Sequence, residues 1–174
     1  MRKVSREMLI IFSGLPGVGK TTLARSLARA MGAVHVRVDS LEQAIRASGV
    51  TSDLADAGYR AAYAVALDNL RLGLAVVADS VNPLAVTRSA WRGVARDAGV
   101  ASLDVEVICS DAGDHRRRVE ARIGDIPGHV QPTWEEVAAR GYEAWDGERL
   151  AVDTARQDVD ASVAVIRAAV ASRR

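Results

Sequence analysis

Gly14-Leu-Pro-Gly-Val-Gly19-Lys20-Thr21-Thr22 is the stretch that decides how this chain reads. It fits the pattern G-x-x-x-x-G-K-[ST], and it lies between an apolar run at 8–13 and a helical pattern at 20–31. Glycines let the backbone curl until successive N–H groups converge, and a helix starting there adds its partial positive charge. Such a loop binds phosphates. The expected ligand is a nucleoside triphosphate, ATP with Mg²⁺, held by Gly14, Leu15, Pro16, Gly17, Val18, Gly19, Lys20, Thr21 and Thr22. Lys20 would reach the β- and γ-phosphates as a point charge, and the Thr21 hydroxyl would ligate Mg²⁺. Replacing Lys20 is expected to leave the fold intact, because its side chain is read as touching ligand rather than core.

Outward from this loop, apolar runs and helical patterns alternate. Strands are expected at 8–13, 34–38, 74–78, 103–109 and 150–152, and helices at 20–31, 41–48, 53–72, 83–98, 111–123, 133–142 and 159–171. Pro83 falls in a first helical turn and Gly99 just past a helix end, the places each favours. The loop 124–132 carries the turn signals between the last arginine-rich helix and the next. Apolar strands alternating with helices imply an α/β fold, a parallel sheet covered on both faces. Ligands of such sheets bind beyond the carboxyl ends of the strands, and Gly14, Asp39, Asp79 and Ser110 all fall at expected strand ends.

Composition narrows the class. The 174 residues suit one domain, 49% are hydrophobic and 26% charged, and formal net charge is +1. That balance supplies no field for nucleic acid or an anionic membrane, so neither is an expected partner. Cys109 is the only cysteine, which excludes an internal disulfide and points to a reducing, cytoplasmic setting. The apolar run after the basic start is too short for a signal peptide, and no stretch has the length of a membrane helix.

The loop alone does not separate kinases, GTPases and motor ATPases. No lysine follows an asparagine, so the guanine-reading Asn-Lys-x-Asp is missing, and Asp125-Ile-Pro-Gly128 lies too late to be the GTPase D-x-x-G. The third strand ends Ala78-Asp79-Ser80 without the glutamate of a motor. Asp79 would instead hold the hydration shell of Mg²⁺, or bind acceptor. Asp39 or Ser40 could equally serve as a helix N-cap. Arg118 and Arg122 are four apart, a repulsive spacing on one helix face that a polyphosphate would relieve, with Val119 and Ile123 anchoring the neighbouring face. His129 is a weaker acceptor contact, Asn82-Pro83 an ordinary turn pair, and Trp134, Tyr142 and Trp145 read as packing around the base of that segment.

Val38-Asp39-Ser40, Ala78-Asp79-Ser80-Val81-Asn82-Pro83 and the run from His115 to Arg122 resemble the small P-loop kinase group. That group includes gluconate kinases, chloramphenicol phosphotransferases, zeta toxins and polynucleotide kinase domains. Pro127-Gly-His129, Pro132-Thr-Trp134 and Val152-Asp-Thr154 are similar to uncharacterised bacterial ATP-binding members. The resemblance implies a three-layer P-loop nucleoside triphosphate hydrolase fold over 1–174, with strand order 2-3-1-4-5 and a small helical lid at about 112–134. It implies Lys20, Asp39, Arg118 and Arg122 as the catalytic set, with Thr21 and Asp79 at the metal. Asp39 would accept the proton of an acceptor hydroxyl, or orient it. The expected activity is transfer of the γ-phosphoryl group of MgATP to a hydroxyl of a small molecule, by a monomer or homodimer. A 5′-hydroxyl polynucleotide kinase, suggested by Asp79 to Asn82, and a non-catalytic nucleotide switch or ATPase are the alternatives.

Overall fold

The computed structural model describes residues 7–49, 53, 54, 56–145 and 147–173. The chain runs β1 (Met8–Ser13), α1 (Lys20–Met31), β2 (Val34–Arg37), α2 (Val38–Ala47), α3 (Ala57–Arg71), β3 (Val76–Asp79), α4 (Ala85–Ala98), β4 (Ala101–Ile108), α5 (Ala112–Glu120), α6 (Trp134–Ala139), β5 (Leu150–Asp153) and α7 (Val159–Ser172). The five strands form one all-parallel sheet in the order β2-β3-β1-β4-β5. Strand order and fold class therefore stand as expected.

All six residues of the central strand β1 are buried, as a strand covered on both faces requires. Ile10 and Phe12 point into one core with Leu23 and Leu27 of α1 and Ile166 of α7. Leu9 and Ile11 point into the other, with Ala62, Ala66 and Leu70 of α3 and Trp91 of α4. The apolar spacing along α1 and α3 is helical, so each helix presents one buried stripe to the sheet.

Several boundaries differ from the sequence reading. β2 stops at Arg37, where its register with β3 runs out at Asp79. Val38 and Asp39 already belong to α2, so Asp39 lies in a first helical turn rather than at a strand end. The capping alternative falls as well: Arg37 occupies the N-cap, with extended backbone and no side-chain cap bond. α5 ends at Glu120, not at residue 123, because Val119 is its last buried apolar residue. Arg122 and Ile123 lie beyond the helix, and Ile123 is 92% exposed instead of anchoring a face. No described helix is long and apolar enough to cross a membrane.

Candidate functional site

The phosphate loop leaves β1 and enters α1 at Lys20, and two contacts explain its glycines. A Cβ on Gly14, at φ 148°, would sit 2.4 Å from the Val107 carbonyl oxygen of β4. A Cβ on Gly17, at φ 85°, would sit 2.4 Å from the Val119 side chain. The loop is thus wedged between the sheet and α5, and only backbone fits at both points. Its far side faces a cleft of about 880 Å³, lined by Leu15, Pro16, Gly17, Gly19, Lys20, Thr21 and Thr22. Gly14 and Val18 lie behind it, with Val18 buried in the core.

Three side chains hold the loop from outside, and the sequence reading gave none of them that role. His115 of α5 is buried, and its Nε2–H donates to the Pro16 carbonyl at 2.8 Å. The same ring meets Trp134 edge-on, with centroids 5.2 Å apart at 87°. Thr154, just after β5, donates its hydroxyl to the Val18 carbonyl at 2.8 Å. Asn82 is buried at φ 47° and donates through Nδ2 to the Phe12 carbonyl and to Ser13 Oγ, where β1 enters the loop. Asparagine tolerates that left-handed backbone better than other residues with a side chain. Asn82 is thus a tie as well as a turn residue. The lone histidine inside an arginine-rich helix was the one available signal for His115.

Lys20 does not hang free in the cleft. Its ammonium lies 3.1 Å from Asp79 Oδ1, while His35 Nε2 lies 3.2 Å from Asp79 Oδ2, and Asp79 is only 1% exposed. Burial pushes the Asp79 carboxyl up, yet Lys20, His35 and the Thr21 hydroxyl together hold it well below the usual carboxylate range. The Lys20 side chain is therefore part of the buried structure, contrary to the expectation that it contacts ligand alone. Asp79 stands behind the cleft and is not part of its lining. It accepts a hydrogen bond from the Thr21 hydroxyl, and Thr21 does line the cleft.

The expected arginine pair is divided. Arg118 donates to Thr154 Oγ1 at 2.8 Å and to the Thr154 carbonyl at 3.1 Å, and it also pairs with Asp114. Arg122, past the helix end, lines the cleft, and its side chain has no hydrogen bond or ion pair among the described residues. The two do not share a helical face, yet both line the cleft: Arg118 also braces Thr154, and through it the loop, whereas Arg122 lies beyond the helix end.

Between α5 and α6 the chain crosses the mouth of the cleft, where Gly128, His129, Val130, Gln131 and Pro132 line it. Asp125 fastens this segment: it accepts from the buried Arg37 at 2.8 and 3.0 Å and pairs with Arg25 of α1. Arg37, then Arg25, holds the Asp125 carboxyl well below the usual range. Thr133 caps α6 and Glu136 closes a capping box with it. Of the three aromatics, Trp134 packs at the base of this segment, whereas Tyr142 and Trp145 stack on the buried Arg88 of α4.

Asp39 lines the same cleft, with Glu42, Gln43 and Arg46 of the same helix. The cleft therefore has a phosphate-binding floor, a wall carrying carboxylates, and a strap across its mouth. Among the described residues no cluster of three or more His, Cys, Asp or Glu could hold a metal by itself.

The family described as AAA domain matches residues 9–140. Among curated proteins, Lon protease 1 of Bdellovibrio bacteriovorus is 40% identical over 67 residues, 38% of this chain and 8% of that protein. The chain thus spans under a tenth of the length of the curated relatives it matches. Among solved structures, a candidate kinase from Chloroflexus aurantiacus J-10-fl superposes with TM-score 0.74 at 23% identity, covering 92% of this chain and 96% of that one. The Mycobacterium tuberculosis APS kinase, solved with AMPPNP and APS, gives TM-score 0.71 at 21% identity over 93% and 96%. At these identities the likeness is one of fold.

Proposed function

The chain belongs to the AAA domain family, and on that premise we propose that it is an ATP-dependent phosphotransferase whose acceptor is a hydroxyl group. The observation that carries this reading is the cleft itself. Lys20 and Thr21 line it, and a carboxylate, Asp39, lines it with them on a wall built by α2. A bare nucleotide pocket has no use for that wall. The kinase folds among the structural neighbours support the same reading.

Each residue then has a part. The loop N–H groups and the N-terminus of α1 bind the phosphates, and Lys20 leaves Asp79 to reach them. Magnesium, when bound at the Thr21 hydroxyl with Asp79 behind it, supplies charge neutralisation on the phosphates. Arg122 faces the charge that develops during transfer. Asp39 aligns the acceptor hydroxyl and takes its proton. His129 to Pro132 exclude water, so that ATP is not lost to hydrolysis.

A screen of hydroxylated metabolites with ATP labelled at the γ-phosphate tests the activity. In it, Asp39→Asn should bind MgATP with native affinity by calorimetry and lose transfer by about 10²-fold or more, the usual scale for a lost general base. Native transfer by that variant would refute the role of Asp39.

A further inference from the structure

Asp39, Glu42, Gln43 and Arg46 of α2 all line the cleft, at the i, i+3, i+4 and i+7 spacing of a single helical face. A rise of 1.5 Å per residue sets Asp39 and Arg46 about 10 Å apart along the axis. The Asp39 end begins beside the phosphate loop, because Arg37 is in register with Asp79, the partner of Lys20. Along one wall the charge thus changes from negative near the loop to positive away from it.

Two further basic groups meet Arg46 at that far end. His129 comes from the strap and Arg140 from the end of α6; both line the cleft, and neither side chain has a hydrogen bond or ion pair among the described residues. Among the described residues Arg46 has one ion pair, to Glu42 at 3.9 Å, which is too long for a hydrogen bond. All three act on Glu42: burial and Asp39 push its carboxyl up, while Arg46, His129 and Arg140 pull it down. The other carboxylate there, Glu136, is already used, accepting the Thr133 N–H at 2.8 Å. Three basic groups from three elements therefore converge on a single half-buried carboxylate, and their donors are unspent.

We propose that the acceptor is a hydroxylated molecule carrying an anionic group, a carboxylate or a phosphate, seated between Arg46, Arg140 and His129 while its hydroxyl lies at Asp39. The proposal rests on the phosphotransferase reading above. In the step, the acceptor O–H gives its proton to Asp39 as its oxygen bonds the γ-phosphorus. The bond from that phosphorus to the β-phosphate oxygen breaks, and ADP leaves with the electron pair. Arg46, Arg140 and His129 take no part in the bond changes. They fix which molecule stands in line.

Calorimetry on the chain saturated with Mg·AMPPNP tests this, because the analogue fills the phosphate loop and leaves only the acceptor end to bind anions. The probes are matched pairs: D-gluconate against D-glucitol, and glycerol 3-phosphate against glycerol. At least one anionic member should bind about tenfold or more tighter than its neutral partner, the scale of one charge-assisted hydrogen bond. Which pair responds separates carboxylate from phosphate. Arg46→Gln and Arg140→Gln should each erase most of that preference, and Arg46→Lys should keep part of it; both positions are open to solvent, so folding is not at stake. Equal affinity within both pairs, including no measurable binding of any member, overturns the proposal, as does a preference that survives both variants. The kinase reading fails separately: selective anion binding with no phosphoryl transfer to any hydroxylated acceptor would sink that reading and leave the anion site standing.

Discussion

Replacing Lys20 should unsettle the fold as well as the chemistry, and the size of the effect follows from its partner. At 3.1 Å the pair Lys20–Asp79 has a gross Coulomb attraction of about 5 kcal/mol at an effective dielectric near 20. Removing one partner of a buried pair costs roughly 3–5 kcal/mol, because the other charge stays buried without compensation. His35 remains on the second oxygen of Asp79, so the low end, about 3 kcal/mol, is expected. For a domain of this length that is a fall in melting temperature of about 9 °C. Lys20→Met, which keeps most of the volume, should show it in thermal and urea unfolding without nucleotide. Adding Asp79→Asn should recover at least half the loss, since it removes the stranded charge. The sign of the pH dependence is fixed too. The folded carboxyl of Asp79 lies below its unfolded value, so its contribution is present above about pH 4 and fades as pH falls below that. Lys20→Met should flatten this acid limb. A Lys20→Met protein as stable as the native chain, or a double variant that loses the sum of both single losses, would refute the reasoning.

Arg122→Ala should lower phosphoryl transfer far more than MgATP affinity, because the Arg122 side chain has no partner among the described residues to lose; equal losses in kcat/KM and binding would count against it. Asp125→Asn should loosen the strap held by Arg37 and Arg25, raising hydrogen exchange across 124–132 and ATP hydrolysis without acceptor. The native chain should show the same loosening progressively as pH falls below about 4, because an Asp125 carboxyl released from Arg37 then takes up a proton while the paired one does not; unchanged exchange in both cases would mean the contact holds nothing. His115→Ala should weaken nucleotide binding and blunt the change in Trp134 emission on adding AMPPNP, with partial rescue by His115→Gln, which can still donate to Pro16. Native affinity and emission in His115→Ala would show the loop holds its own shape.

Local signals were enough for much of this molecule. β1 and α1 lie where the apolar run and the helical stripe put them, because a strand covered on both faces and a helix with one buried face leave periods that any stretch of sequence displays. The phosphate loop was legible for a similar reason: its glycines answer to backbone geometry, which is written within nine residues. The contacts that make the loop a site were not. His115 reaches Pro16 across 99 positions, Asp125 reaches Arg37 across 88, Lys20 reaches Asp79 across 59, and Arg118 reaches Thr154 across 36. No spacing encodes such pairs; the parallel register of β2, β3 and β1 brings Arg37, Asp79 and Phe12 level, and only then do side chains find one another. The same packing ended α5 at Glu120, once Val119 had spent the last apolar contact, and so divided two arginines that their numbering had joined. Periodicity belongs to a segment, whereas a hydrogen-bond partner belongs to whichever segment the sheet lays beside it.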